Sequence, residues 1–189
     1  MSKLPPDEVK AWSSGRWDEH PPLSISGAGI DSRAIRSGML FFALQGEHVD
    51  GHGFVGEALR AGAAAAVVRN DYRAPSGVTG CLLRVHDPAR ALCDISREYR
   101  RRVGANVTAV TGSAGKTTVK EMTASILSQR YRTAQTLGNW NNNIGLPLSL
   151  MAMDERTESI VLEMGTNHMG EIADLCKIAL PNTGIVTNI

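Results

Sequence analysis

The sequence predicts an α/β protein built from a small mixed N-terminal domain, residues 1–104, and an incomplete doubly wound domain, residues 105–189. Two observations lead to this fold class. Short apolar runs alternate with segments of helical spacing, which is typical of parallel sheets with helical crossovers. A glycine-bearing turn at 111–118 also stands between an apolar strand and a helix, which is how nucleotide-binding α/β domains begin.

In the first part, the continuous apolar run Met39–Leu44 favours a buried strand, and segment 54–61 has helical spacing. Asp87 is expected to cap a helix that has Pro88 at its first position. The predicted elements are helix 7–13, strand 39–44, helix 54–61, strand 64–68, strand 81–85 and helix 88–102.

In the second part, strands and helices alternate more regularly. The predicted elements are strand 107–111, helix 116–130, strand 132–136, a polar loop 138–143, helix 145–153, strand 159–163, helix 170–179 and strand 184–188. A doubly wound sheet typically continues beyond this number of strands, so we expect the second domain to be unfinished.

Composition narrows the class of protein. The 189 residues are 42% hydrophobic and 21% charged, which is typical of a globular protein. Because the net charge is only +1, the protein as a whole has no strong electrostatic attraction to nucleic acid or to a membrane surface. The basic run 97–102 is interpreted as a solvated helix end. Three distant cysteines favour neither disulfides nor a zinc site. With no signal peptide and no membrane-length apolar run, we expect a cytoplasmic protein without membrane insertion. The small net charge predicts no nucleic-acid partner. No sequence feature determines the oligomeric state, and a monomer is the expectation adopted.

The turn after the first strand of the second part predicts a phosphate site. Lys116 would reach the β- and γ-phosphates of ATP, and the Thr117 hydroxyl would ligate Mg²⁺. Val110 stands where the full Walker pattern has its first glycine, so the loop has the shorter form Gly-x-x-Gly-Lys-Thr-Thr. An ordinary glycine turn with an exposed lysine is the alternative. The predicted nucleotide-binding residues are Thr111, Gly112, Ser113, Ala114, Gly115, Lys116, Thr117 and Thr118.

Two further segments are expected at the carboxyl ends of strands, where ligands bind in open α/β sheets. Four asparagines lie in the loop 138–143, and a ligand-facing role competes there with a plain loop. Glu163 closes an apolar strand and could hold Mg²⁺ directly or through water. His168, five residues later, is interpreted either as catalytic or as a loop or helix-cap histidine.

In the first domain, Asp31, Ser32 and Arg33 form a weaker motif, followed by Gly46 and by Asp50-Gly51-His52. Such side chains could bind a phosphorylated ligand or could tie down a turn.

Together these motifs resemble the Mur ligases, the ATP-dependent amino-acid and peptide ligases of bacterial cell-wall synthesis. The loop with its Ile-Gly-Leu-Pro-Leu sequence at 144–148, and the segment 167–172, are similar in particular to the member that joins D-alanyl-D-alanine to UDP-N-acetylmuramoyl-tripeptide. The segments that carry the resemblance are 31–33, 38–44, 50–52, 111–118, 139–148, 163–168 and 170–172.

The resemblance implies a three-domain enzyme with an N-terminal UDP-sugar-binding domain, a central P-loop ATPase domain and a C-terminal domain. It implies that Ser32 and Arg33 lie in the UDP-sugar site, and that Asn142 and Asn143 face the acyl-phosphate and substrate region. Lys116, Asn143 and His168 would be catalytic, and Thr117 and Glu163 would hold magnesium. We expect this chain to correspond to the N-terminal part of such a ligase and not to catalyse the ligation by itself.

Three alternatives stay open at this point. The chain could serve another step catalysed by the same family. It could be a small kinase or NTPase that shares only the Gly-Lys-Thr turn, although the segment 31–52 speaks against this. It could also be a non-catalytic module that binds a UDP-muramoyl peptide, ATP or a partner without performing a reaction.

Overall fold

The computed structural model describes residues 4–136, 138, 140–166 and 168–188. The chain divides into two compact units, Met1–Ile95 and Ser96–Ile189, and the division falls inside the helix Pro88–Val103. The boundary predicted after residue 104 lies one residue beyond the end of that helix.

The first unit is a five-stranded sheet with helices in the connections between its strands. The strand order is β1-β5-β4-β3-β2; β2 to β5 pair in parallel, and β1 is antiparallel to β5. The elements in chain order are α1 (Pro6–Ser13), β1 (Arg16–Trp17), β2 (Gly27–Gly29), β3 (Met39–Phe42), α2 (Val55–Arg60), β4 (Ala65–Arg69), β5 (Leu82–Val85) and α3 (Pro88–Val103), with short 3₁₀ helices at Ser32–Ala34 and Gly51–Phe54.

The predicted strands and helices of this unit are confirmed. β3 and β4 are buried almost throughout because each has a strand on either side and α2 packs over them. Asp87 caps α3 as expected, since its Oδ1 accepts from the main-chain N–H groups of Ala89 and Arg90. Strands β1 and β2 were not predicted, because two or three residues are too few to show a periodicity.

The second unit is a four-stranded parallel sheet of order β7-β8-β6-β9. Its elements after α3 are β6 (Asn106–Thr111), α4 (Lys116–Ser128), β7 (Thr133–Gln135), α5 (Gly145–Met151), β8 (Ser159–Glu163), α6 (Glu171–Ala179) and β9 (Thr183–Val186). Every strand and helix predicted for this part is present. The parallel pairing brings the carboxyl ends of β6, β7 and β8 to one edge of the sheet.

The interpretation of the basic run as a solvated helix end is wrong for Arg100. Its guanidinium donates to the carbonyls of Ala179 (2.9 Å) and Leu180 (3.2 Å) and to Asn182 Oδ1 (3.1 Å). Burial lowers the pKa of this guanidinium. Arg100 therefore satisfies the carbonyl groups at the end of α6, which have no partner inside that helix.

Two further observations bear on the class of protein. Among the described residues, Cys81, Cys93 and Cys176 form no disulfide. Over the described part of the chain, no helix is both long enough and apolar enough to cross a membrane.

Candidate nucleotide and metal site

The turn predicted to bind phosphate connects β6 to α4. Gly115 is the N-cap of α4 and adopts φ +79°, a left-handed conformation that favours glycine. Lys116, the first residue of the helix, folds back so that its Nζ donates to the carbonyl of Gly112 at 2.7 Å. The turn and the helix N-terminus thus provide the main-chain N–H groups and the cation that an anion site requires.

Gly112 lies in the tightest part of the turn. Its φ is +139°, and an added Cβ would collide with Thr187 Oγ1 and lie 2.8 Å from the main-chain N and O of Asn188. The Thr187 hydroxyl donates to the carbonyl of Ala114, and Ser113 N–H donates to the carbonyl of Asn188 at 3.0 Å. The segment after β9 therefore packs against the phosphate turn and forms hydrogen bonds with its main chain.

Glu163 is the last residue of β8 and pairs in register with Val110 of β6, so it lies beside the turn. Its Oε2 accepts from Thr117 Oγ1 at 2.7 Å, and its Oε1 accepts from Asn141 Nδ2 at 2.9 Å. The residue is 4% exposed. The structure therefore brings together the two predicted magnesium ligands, and it shows Asn141 as a hydrogen-bond donor to one of them, Glu163.

Thr117 and Glu163 fit a magnesium ion that also binds phosphate. Mg²⁺ is usually held by one or two carboxylates together with substrate phosphates and water, rather than by a cage of protein ligands. Across the described residues, Glu163 forms no ion pair, so a buried carboxylate is left without a cation. The same residues include no cluster of three or more His, Cys, Asp or Glu side chains that could hold a metal by itself.

A cavity of about 340 Å³ opens beside this cluster, between the turn and α6. It brings Lys116 together with the predicted Asn142 and Asn143. The lining residues are Lys116, Asn141, Asn142, Asn143, Gly165, Thr166, Glu171, Asp174 and Leu175.

Asn142 also has a structural role in the loop. Its Oδ1 accepts from the main-chain N–H groups of Ile144 (3.1 Å) and Gly145 (2.8 Å), which fixes the start of α5. A Cβ on Gly145 would lie 2.6 Å from the Cα of Trp140, so the loop folds closely over the helix start. Asn139, the first asparagine of the predicted loop, lies outside the described residues.

His168 takes part in the N-terminal cap of α6 through its main chain. Its N–H donates to Glu171 Oε2 at 3.0 Å, and its carbonyl accepts from Thr166 Oγ1 at 2.6 Å. The residue is exposed and is not among those that line the cavity. Its catalytic role stays a prediction, and Asn167 of the same motif lies outside the described residues.

Ser32 and Arg33 lie in the first unit, after β2. Ser32 is buried, whereas the Arg33 side chain is 81% exposed and forms a bidentate pair with Asp31 at 2.9 and 2.8 Å. Hydrogen bonds from Arg33 lower the pKa of the Asp31 carboxyl. The main chain of Arg33 also donates to Asp31, so this motif ties down a turn in the way the alternative interpretation expected.

The second motif of the first unit fixes the loop after β3. Asp50 Oδ1 accepts from His52 N–H at 2.9 Å and lies 2.6 Å from His52 Nδ1. The buried His52 ring accepts through Nε2 from Arg69 N–H at 3.0 Å, so Nδ1 carries the proton donated to Asp50. This network positions the loop at the carboxyl ends of β3 and β4, where a ligand of a parallel sheet binds.

Sequence reasoning missed three residues around Glu163: Asn141 and Thr136, which form hydrogen bonds with it, and Lys120, which donates to Thr136. Asn141 was one of several asparagines in a loop, and nothing in its spacing distinguished it from its neighbours. Thr136 and Lys120 fall within a predicted strand and a predicted helix, and no motif marks either of them. They are 2% and 3% exposed, and Thr136 Oγ1 accepts from Glu163 N–H at 2.9 Å.

Comparisons with known proteins agree with this arrangement. Residues 24–100 match the model of the Mur ligase family, catalytic domain, and residues 110–189 match that of the Mur ligase middle domain. The chain belongs to the Mur ligase family.

One curated relative and two crystal structures are similar to most of this chain. UDP-N-acetylmuramoyl-tripeptide–D-alanyl-D-alanine ligase of Bacillus subtilis is 42% identical over 165 residues, which are 87% of this chain and 36% of the relative. The crystal structure of MurF from Acinetobacter baumannii matches with a TM-score of 0.91 and 34% identity, over 100% of this chain and 41% of that one. MurF ligase from Thermotoga maritima in complex with ADP matches with a TM-score of 0.75 and 36% identity, over 86% and 37%. The chain thus spans about two fifths of the length of the proteins it matches.

Proposed function

We propose that this chain contains the nucleotide-binding and UDP-sugar-binding part of an ATP-dependent ligase that joins D-alanyl-D-alanine to UDP-N-acetylmuramoyl-tripeptide in peptidoglycan precursor synthesis. The observation that carries the proposal is the cluster of Thr117, Asn141 and the buried Glu163 beside Lys116 and the cavity. The names of the relatives support the substrate assignment. A cytoplasmic location and a monomeric state belong to the same proposal.

The reaction requires two anions to approach each other. The terminal carboxylate of the tripeptide attacks the γ-phosphorus of ATP, the bond to the ADP oxygen breaks, and an acyl phosphate forms. The amine of D-alanyl-D-alanine then attacks the acyl carbon, and phosphate leaves with its bridging oxygen. Positioning and neutralisation of charge therefore dominate the barrier.

The residues of the second unit can meet that requirement. Lys116 and the main-chain N–H groups of the turn 112–118 would bind the phosphates. For this, Lys116 would leave its present contact with the Gly112 carbonyl, and the Ser113 N–H would leave the carbonyl of Asn188. Thr117 and Glu163 would hold Mg²⁺, which neutralises phosphate charge when bound. Asn142 and Asn143 would face the carboxylate end of the tripeptide from the other wall of the cavity.

Titration of the chain with ADP by calorimetry tests the nucleotide site. We expect saturable binding that is strengthened by Mg²⁺ and lost in Lys116→Ala, because the variant removes the cation that faces the phosphates. Lys10→Ala, which changes an exposed lysine of α1 in the first unit, is the matched control and should bind as the unchanged chain does. Binding by Lys116→Ala with unchanged affinity would exclude this lysine from the phosphate site.

A second titration tests the substrate assignment. The chain is titrated with UDP-N-acetylmuramoyl-tripeptide and, as a control, with the corresponding dipeptide form. Tighter binding of the tripeptide supports the proposed ligase. Equal binding of the two would favour another step of the same family, and binding of ADP without either ligand would favour a nucleotide-binding protein of a different activity.

A further inference from the structure

Lys120 is a buried lysine that the proposed reaction does not use. It lies on α4 four residues after Lys116, and therefore on the same side of the helix, one turn further from the phosphate turn. The residue is 3% exposed, and within the described part of the chain its Nζ donates a single, long hydrogen bond, 3.4 Å, to the carbonyl of Thr136. No ion pair of Lys120 is present among the described residues.

A buried ammonium group with so few partners is costly. Removal of a charge from water is strongly unfavourable unless opposite charge and hydrogen bonds compensate for it. Met or Leu would fill the same space without this cost. The presence of the charge therefore points to an electrostatic role nearby.

Thr136 connects Lys120 to the proposed metal ligand. It follows directly after β7, its N–H donates to the carbonyl of Val161 in β8, and its Oγ1 accepts from the N–H of Glu163 at 2.9 Å. The carbonyl of the same residue accepts from Lys120. One threonine thus joins a buried cation to the main chain of a buried carboxylate that has no ion pair among the described residues.

We infer that Lys120 is a positioning residue for Glu163: through Thr136 it holds the end of β8 in place, and its positive charge favours the carboxylate in the orientation that binds Mg²⁺. This inference rests on the proposed function. Hydrogen-bond partners behind a metal ligand commonly change metal affinity by about 10- to 100-fold when they are replaced. Lys120 is therefore expected to control the magnesium dependence of nucleotide binding and not the contact with nucleotide itself.

The test is the affinity for ADP, measured by calorimetry with excess EDTA and across a series of Mg²⁺ concentrations. Lys120→Met keeps the length of the side chain and removes the charge and the donor. We expect ADP affinity in EDTA to stay within about twofold, while the Mg²⁺ concentration for half-maximal enhancement rises about tenfold or more. Lys120→Arg, which keeps a cation and a donor, should recover most of this shift, and Lys10→Met is the matched control.

The outcomes separate the inference from the proposed function. If the unchanged chain does not bind ADP, both fail together. If it binds ADP and a folded Lys120→Met variant shows the same Mg²⁺ dependence, or loses affinity equally in EDTA and in Mg²⁺, only the inference on Lys120 is overturned. If circular dichroism shows Lys120→Met to be unfolded, Lys120→Gln takes its place, because it keeps a donor toward Thr136 without the charge, and the same two results decide.

Discussion

Replacement of Gly112 by alanine adds one methyl group at the tightest point of the phosphate turn. Its φ of +139° belongs to a region that side chains rarely adopt, which costs about 1–3 kcal/mol. The new Cβ would also lie 2.8 Å from the main chain of Asn188, and overpacking of this kind costs about 1–3 kcal/mol more. We therefore expect a loss of roughly 2–6 kcal/mol in the free energy of unfolding.

Thermal unfolding followed by circular dichroism measures this loss without any ligand. For a chain of this size, 1 kcal/mol corresponds to about 2–4 °C, so the melting temperature should fall by roughly 4–24 °C. Gly104→Ala is the matched control, because Gly104 also has a positive φ, +69°, but an added Cβ would meet nothing within 4 Å. That variant should lose only about 1–2 kcal/mol. Equal melting temperatures for the two variants would refute the close approach of residue 188 to the turn.

Three further predictions concern stability. Tyr99→Phe removes the hydroxyl that donates to the carbonyl of Met153 at 2.9 Å inside the second unit, and should cost about 1–3 kcal/mol in urea unfolding. Arg100→Ala leaves the carbonyls at the end of α6 without their donor and should cost about 2 kcal/mol, whereas retained stability would mean that water replaces the guanidinium. Hydrogen bonds from His52 lower the pKa of the Asp50 carboxyl. The carboxylate therefore stabilises the fold above about pH 4, and this contribution is lost as the pH falls. In Asp50→Asn the urea midpoint should accordingly drop less between pH 7 and pH 3 than it does in the unchanged chain.

Local chemistry explains which parts of the structure could be predicted. A helix start is defined by the residues around it, so Asp87 and Pro88 were sufficient to place the start of α3. The strand Met39–Phe42 followed from its apolar run, and the phosphate turn followed from its own glycines and Lys116. By contrast, the expected solvated end of α3 depended on what packs against it, and Arg100 binds carbonyls that are 79 and 80 residues away in the chain.

The sequence by itself determined the order of strands and helices and the phosphate turn, because these depend on neighbours within one or two helical turns. That Thr117 and Glu163, 46 positions apart, would lie close together followed only from the general rule that ligands bind at the carboxyl ends of parallel strands. Only the tertiary structure decided that Asn141, and not Asn142, contacts Glu163, since that hydrogen bond joins residues 22 positions apart. It also decided that Lys120 is buried and donates to the carbonyl of Thr136, because that partner follows a different strand of the sheet. Burial and hydrogen-bond partners are properties of the packed sheet, and no spacing within the chain encodes them.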